Sequence, residues 1–115
     1  MSETSSHIQV SVAGTGSYVP ERILTNAELE KMVDTSDEWI VTRTGIRERR
    51  IASEGEQLFD FALAAAERAL EMAGIAGSEV DLVICATFSS DLVFPTAAAR
   101  VQAAIGATGA AAAAA

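Results

Sequence analysis

Between residues 57 and 87 the chain reads as one amphipathic helix followed by one short apolar run, and this succession constrains the fold more than any other feature. Leu58, Phe61, Ala62, Ala65, Ala69 and Met72 recur at three- and four-residue spacing from Gln57 to Ala73, with Asp60, Glu67 and Glu71 on the other side. Gly74 stands where a left-handed C-terminal cap is expected, followed by the apolar Ile75. The run Leu82-Val83-Ile84-Cys85-Ala86-Thr87 is short and nearly continuous in apolar residues, the pattern of a strand covered on both faces by helices. A helix leading into a buried strand predicts an α/β layered fold.

The flanking segments supply further elements. Ile8 to Ala13 alternates Ile8, Val10 and Val12 with Gln9 and Ser11, which predicts a strand. Gly14-Thr15-Gly16-Ser17 then reads as a strand-ending turn rather than a dinucleotide fingerprint, because Tyr18-Val19-Pro20 follows, with no third glycine and no helix opening. Thr25-Asn26-Ala27-Glu28 has capping-box spacing and predicts a short helix through about Met32. Thr35-Ser36-Asp37-Glu38 repeats the device, so Thr35 is the expected N-cap of a second helix carrying Trp39, Ile40 and Arg43. Ile46 to Ile51 is too polar for a central strand and suits an edge strand or an extended surface segment. Phe94-Pro95-Thr96 leads into a helix from Ala97 to Ile105 ended by Gly106, and the tail from Ala107 is alanine apart from Thr108 and Gly109. No repeat or Pro/Ser-rich linker marks a domain boundary inside the chain.

Composition narrows the function classes. A chain of 115 residues and 12.0 kDa fits one small domain or a piece of a larger one. Half the residues are hydrophobic and the mean hydropathy is +0.26, enough for a core and unlike a disordered chain. A net charge of -8 argues against nucleic acid as a partner, since such proteins cluster Lys and Arg against phosphates. The local exception is Arg43, Arg47, Arg49 and Arg50, half of the eight basic residues. The single Cys85 excludes an internal disulfide framework and a multi-cysteine zinc site, suits a reducing compartment, and leaves no metal site expected. The start, MSETSSHIQV, lacks the pattern of a secretory signal, and no long bulky apolar stretch suggests a membrane span, so a soluble cytoplasmic protein with no membrane partner is the expectation. Residues 1–7 are small and polar and are expected to form a loose, disordered terminus. There the only histidine, His7, would lack both metal-ligand partners and the rigid support a catalytic base needs.

Among chemistry-bearing side chains, Cys85 reads as a core cysteine rather than a nucleophile, because burial in an apolar strand raises a thiol pKa and denies access. Trp39 and Arg43 lie one helical turn apart and could form a platform on which an indole stacks on a base while a guanidinium grips phosphate. By spacing alone, the ordinary reading of a half-buried tryptophan beside a solvated arginine is favoured. Arg47, Arg49 and Arg50 likewise read as a solvated edge that strengthens the positive field near Arg43. Asp81, Asp91, Glu54 and Glu56 are not paired on any one element as acid-base catalysis would require. No nucleophile elbow and no phosphate-binding loop is present.

One further feature is specific. Gly14-Thr15-Gly16-Ser17-Tyr18-Val19-Pro20-Glu21, then Leu24-Thr25-Asn26, then the uninterrupted VDTSDEWIVTRTGIRER from Val33 to Arg49, closely resemble the start of β-ketoacyl-acyl carrier protein synthase III. The resemblance continues through Glu71 to Ile75, Asp81 to Ile84, Phe94-Pro95 and Val101-Gln102, so that it runs from about Ile8 to Gly109. It implies a thiolase-like fold of two similar α/β halves in five αβαβα layers, with residues 1–115 an incomplete N-terminal half-domain, most of the first half. It also implies a homodimer and an acyltransferase that condenses an acyl-CoA primer, often acetyl-CoA, with malonyl-acyl carrier protein, releasing carbon dioxide and starting type II fatty acid synthesis.

By this resemblance, acyl-CoA is a substrate, no cofactor is permanently bound, and no catalytic residue falls within residues 1–115. The family's nucleophilic cysteine is expected a few residues beyond Ala115, and its histidine and asparagine in the second half. Thr35, Trp39 and Arg43 match positions that contact the adenine and phosphate end of CoA, which reverses the preference drawn from spacing. Phe94 matches a position lining the acyl pocket across the dimer interface. After Gly109 the family pattern brings bulky residues such as Phe-Asp-Val, where Ala113, Ala114 and Ala115 stand here. The alternatives are a condensing or acyl-transferring enzyme of secondary metabolism and a non-catalytic binding fragment.

Overall fold

The computed structural model describes residues 7–115, so most of the expected loose terminus lies outside the described residues, and His7 is exposed. The element order is β1 (Arg22–Thr25), α1 (Asn26–Leu29), α2 (Asp37–Thr44), β2 (Glu48–Ile51), α3 (Leu58–Ala73), β3 (Leu82–Cys85), α4 (Ala97–Ala104) and β4 (Ala111–Ala114), with a 3-10 turn at Gly77–Glu79. It is a mixed α/β arrangement, as the sequence predicts.

These elements fall into two groups that pack chiefly within themselves. In the first, β1 and β2 form an antiparallel ribbon in which Arg22 faces Ile51 and Thr25 faces Glu48. The capping box at Thr25 forms as expected: the Glu28 amide donates to Thr25 Oγ1 at 3.2 Å, and the Thr25 amide donates to Glu28 Oε2 at 2.9 Å. The cap of α2 is displaced by one residue from the expected position. Ser36, not Thr35, has the extended N-cap conformation, and its Oγ accepts from the Trp39 amide at 3.1 Å. The two hydroxyl residues are adjacent, so spacing to Glu38 pointed to Thr35 while the backbone turned at Ser36. Ile46 to Ile51 does supply an edge strand, β2, and its partner β1 was not legible in the sequence.

In the second group, α3 runs as the apolar periodicity predicts and ends at Gly74, whose φ of 69° is the expected left-handed cap. The chain then passes through β3, α4 and β4, with β3 and β4 parallel and Leu82 to Cys85 facing Ala111 to Ala114. Thr96 caps α4 by accepting from the Ala99 amide at 3.2 Å. The core at α4 is built of small residues, with Ala97, Ala98, Val101 and Ala107 buried. The alanine tail serves as a strand because a ladder needs only backbone donors and acceptors.

Two sequence expectations fail here, for one reason. The β3 run is not covered on both faces: Leu82 is 51% and Ile84 62% exposed. The alternating segment Ile8 to Ala13 forms no strand, and Ile8, Val10 and Val12 are 89%, 89% and 84% exposed. Both patterns encode burial against layers that the described residues do not supply. Nor is Gly14-Thr15-Gly16-Ser17 a turn; it runs along α3, and a Cβ on Gly14 would come within 2.6 Å of the Ala69 carbonyl oxygen. These glycines permit close backbone approach. An apolar cavity of about 420 Å³ remains between Val12–Gly14 and the side chains of Leu70, Ile84 and Val101.

The radius of gyration is 19.2 Å and the extents are 66 × 39 × 27 Å. A closed domain of this length would have a radius near 13 Å.

Candidate functional site

Helix α2 carries the candidate site. Its inner side is anchored by Ile40, which is 7% exposed, while the preceding residue Trp39 is 54% exposed. Arg43 follows Trp39 by one turn, and its Cζ lies 4.8 Å from the centroid of the indole ring. A guanidinium at that distance is attracted by the ring quadrupole, by about 0.5–1 kcal/mol at an exposed site. The pair therefore presents a flat aromatic surface and a permanent positive charge together.

Two open recesses flank the indole. One, of about 350 Å³, is lined by Asp34, Thr35, Ser36 and Trp39. The other, of about 360 Å³, is lined by Ser36, Glu38, Trp39, Thr42 and Arg43. Thr35 thus shares one recess with Trp39 and Arg43 shares the other, with Trp39 common to both. Sequence reasoning passed over Ser36, which shapes both recesses and caps the helix. Its signal was the second hydroxyl in Thr35-Ser36.

The remaining arginines do not form one basic patch. Arg50 Nη1 donates to the Pro20 carbonyl at 2.9 Å, and Arg49 turns inward, where Nη2 donates to Asn26 Oδ1 at 2.8 Å. Strand alternation separates the two neighbours, a consequence of β2 that corrects the expectation of a uniformly solvated edge.

Phe94 is far from this face in the sequence and stands on the segment before α4, 85% exposed, beside Val93 at 96%. That segment is tied down by Asp91, whose two carboxylate oxygens accept from the Leu58 and Phe59 amides at 3.1 Å each, at the start of α3. Arg100 reaches the same carboxylate at 3.7 Å and lies over the Phe59 ring at 4.2 Å. Asp91 is therefore a helix-terminal anchor. Cys85 is a free, half-buried thiol at the end of β3, lining a recess of about 130 Å³ with Thr87, Leu92 and Ala97 among others. Among the described residues no cluster of His, Cys, Asp or Glu could hold a metal, and no helix is long and apolar enough to cross a membrane.

No protein-family model matches the chain. Individual proteins do. The chain is 59% identical over 98 residues to β-ketoacyl-[acyl-carrier-protein] synthase III 1 of Vibrio parahaemolyticus, a match covering 85% of this chain and 31% of that protein. The chain is homologous to a portion of β-ketoacyl-acyl carrier protein synthase III. Among solved structures, the synthase III of Aquifex aeolicus superposes with a TM-score of 0.84 at 50% identity, covering 90% of this chain and 33% of that one. The priming β-ketosynthase of the R1128 polyketide pathway gives 0.85 at 39% identity, covering 90% and 31%. This synthase III homologue thus has a thiolase-like fold in part, and spans about a third of the relatives it matches.

Proposed function

We propose that the chain forms the acyl-CoA entrance of a complete synthase III, an acyltransferase that condenses an acyl-CoA primer with malonyl-acyl carrier protein. In such an enzyme the acyl group passes from CoA to a cysteine thiolate as a thioester. Loss of carbon dioxide from the malonyl thioester leaves a carbanion that attacks the acyl carbonyl and expels the thiolate. The chain's own part in this is recognition. The observation that carries the reading is Arg43 stacked over the exposed Trp39 between two open recesses, one of them lined by Thr35. Indole and guanidinium suit the adenine and the phosphates of CoA respectively. Phe94, exposed on an anchored segment, suits a role in the acyl pocket of a second subunit in a homodimer.

The test is made in a complete synthase, with this chain standing in for the matching third of the Vibrio parahaemolyticus enzyme. Trp39→Ala is expected to raise the acyl-CoA KM roughly tenfold or more, since base stacking on an aromatic side chain contributes about 1–3 kcal/mol. An unchanged KM would sink the entrance reading. The likeness to a polyketide priming ketosynthase keeps a second reading in view, a condensing enzyme of secondary metabolism. Turnover with malonyl-acyl carrier protein set against other acceptors separates the two.

A further inference from the structure

Asn26 is the largest fully buried side chain among the described residues, at 1% exposure, and nothing in the entrance chemistry uses it directly. Its amide nitrogen Nδ2 donates to Asp37 Oδ1 and to the Ile46 carbonyl, each at 2.8 Å, while Oδ1 accepts from Arg49 Nη2 at 2.8 Å. The orientation of the amide is unambiguous: a carboxylate and a carbonyl can only accept, and a guanidinium can only donate. The Asn26 backbone amide adds a bond to the Arg47 carbonyl at 3.2 Å.

The partners matter for where they stand. Asp37 is the first residue of α2, and Ile46 follows Gly45, the residue that caps its end. One carboxamide therefore grips α2 at both termini, and through Arg49 it ties the helix to β2. Between those two points stand Trp39 and Arg43.

We propose that Asn26 is the positioning residue of the Trp39–Arg43 face, fixing the angle at which indole and guanidinium meet the nucleotide end of acyl-CoA. The proposal rests on the entrance reading above and extends it to a residue that touches no substrate. The isosteric change Asn26→Asp keeps the volume and the acceptor for Arg49, but sets an oxygen against the Asp37 carboxylate and the Ile46 carbonyl.

In the complete synthase, N26D is expected to lower kcat/KM for acyl-CoA about tenfold, the scale of a lost hydrogen bond to a charged group. With acyl-pantetheine, which lacks the nucleotide, the same variant is expected to match the parent enzyme. The reciprocal variant N26D/D37N restores a donor–acceptor pair of reversed polarity at position 37 but leaves the Ile46 carbonyl without its donor, and should recover part of the acyl-CoA loss. Equal losses on both substrates would assign Asn26 a general structural role and overturn the proposal, as would an N26D enzyme with unaltered kinetics. If N26D does not fold, D37A decides the matter, because Asp37 is exposed and its truncation removes one of the two grips. D37A should then lower kcat/KM for acyl-CoA alone, and its failure to do so overturns the proposal equally. Trp39→Ala in the same assay separates the two readings. If Trp39→Ala has no effect the entrance itself is misassigned, whereas an effect there beside a silent N26D removes only the role of Asn26.

Discussion

The residue that responds most clearly to its surroundings is Glu28. Bonds from the Thr25 backbone amide and then from the Thr25 hydroxyl hold its carboxyl below the ordinary value of 4.5. A carboxyl whose folded pKa is depressed contributes stability that is fully present above its unfolded pKa and is lost as pH falls through the folded value. The contribution is thus constant at neutral pH and disappears in the acid range below about 4.5. A carboxyl-carbon NMR titration should place the Glu28 midpoint below that of a free glutamate, and Thr25→Ala should return it toward the free value. The Thr25–Glu28 pair was legible because both partners lie within one four-residue motif. Asn26, between them, was read as part of that motif and of the family resemblance, with no role of its own. Its three side-chain partners lie 11, 20 and 23 residues away, so no local pattern announces them. Trp39 and Arg43 fall between these cases. Spacing put them on one face, but only the geometry brings the guanidinium over the ring.

At the scale of elements, helices were read more faithfully than strands. The apolar stripe of α3 and its terminal glycine are local, and both appear where expected. Strand β1 carries no such signature: Arg22-Ile23-Leu24-Thr25 becomes a strand because β2 pairs with it. The reverse holds for Ile8 to Ala13, whose alternation is strand-like yet has no partner strand among the described residues. The α2 cap offers a direct check on the one-residue displacement. Ser36→Ala should destabilise the group around α2 by about 1 kcal/mol in chemical denaturation, while Thr35→Ala should cost little through capping. The opposite ranking would restore Thr35 as the cap and undo the geometry described for Trp39.

For the whole molecule, surface area is the informative quantity. The chain exposes 8707 Å². A closed monomer of its mass would expose about 6,000 Å², so roughly 2,700 Å² is excess surface. It includes Ile8, Val10, Phe88, Val93 and Phe94, each at least 84% exposed. The isolated 115-residue chain should therefore self-associate at micromolar concentration in sedimentation velocity and bind a hydrophobic dye, both effects vanishing within a complete synthase. A sharp monomer boundary without dye binding would mean that the exposed faces close on themselves. The division into two groups bears on cooperativity as well. The ribbon with α1 and α2 has its own buried anchor in Ile40, and the β3–α4–β4 unit has its own in Val101. Two such units joined by extended segments can open one without the other. For this chain by itself, a single melting temperature is then not a well-defined property, since all-or-none behaviour belongs to one shared core.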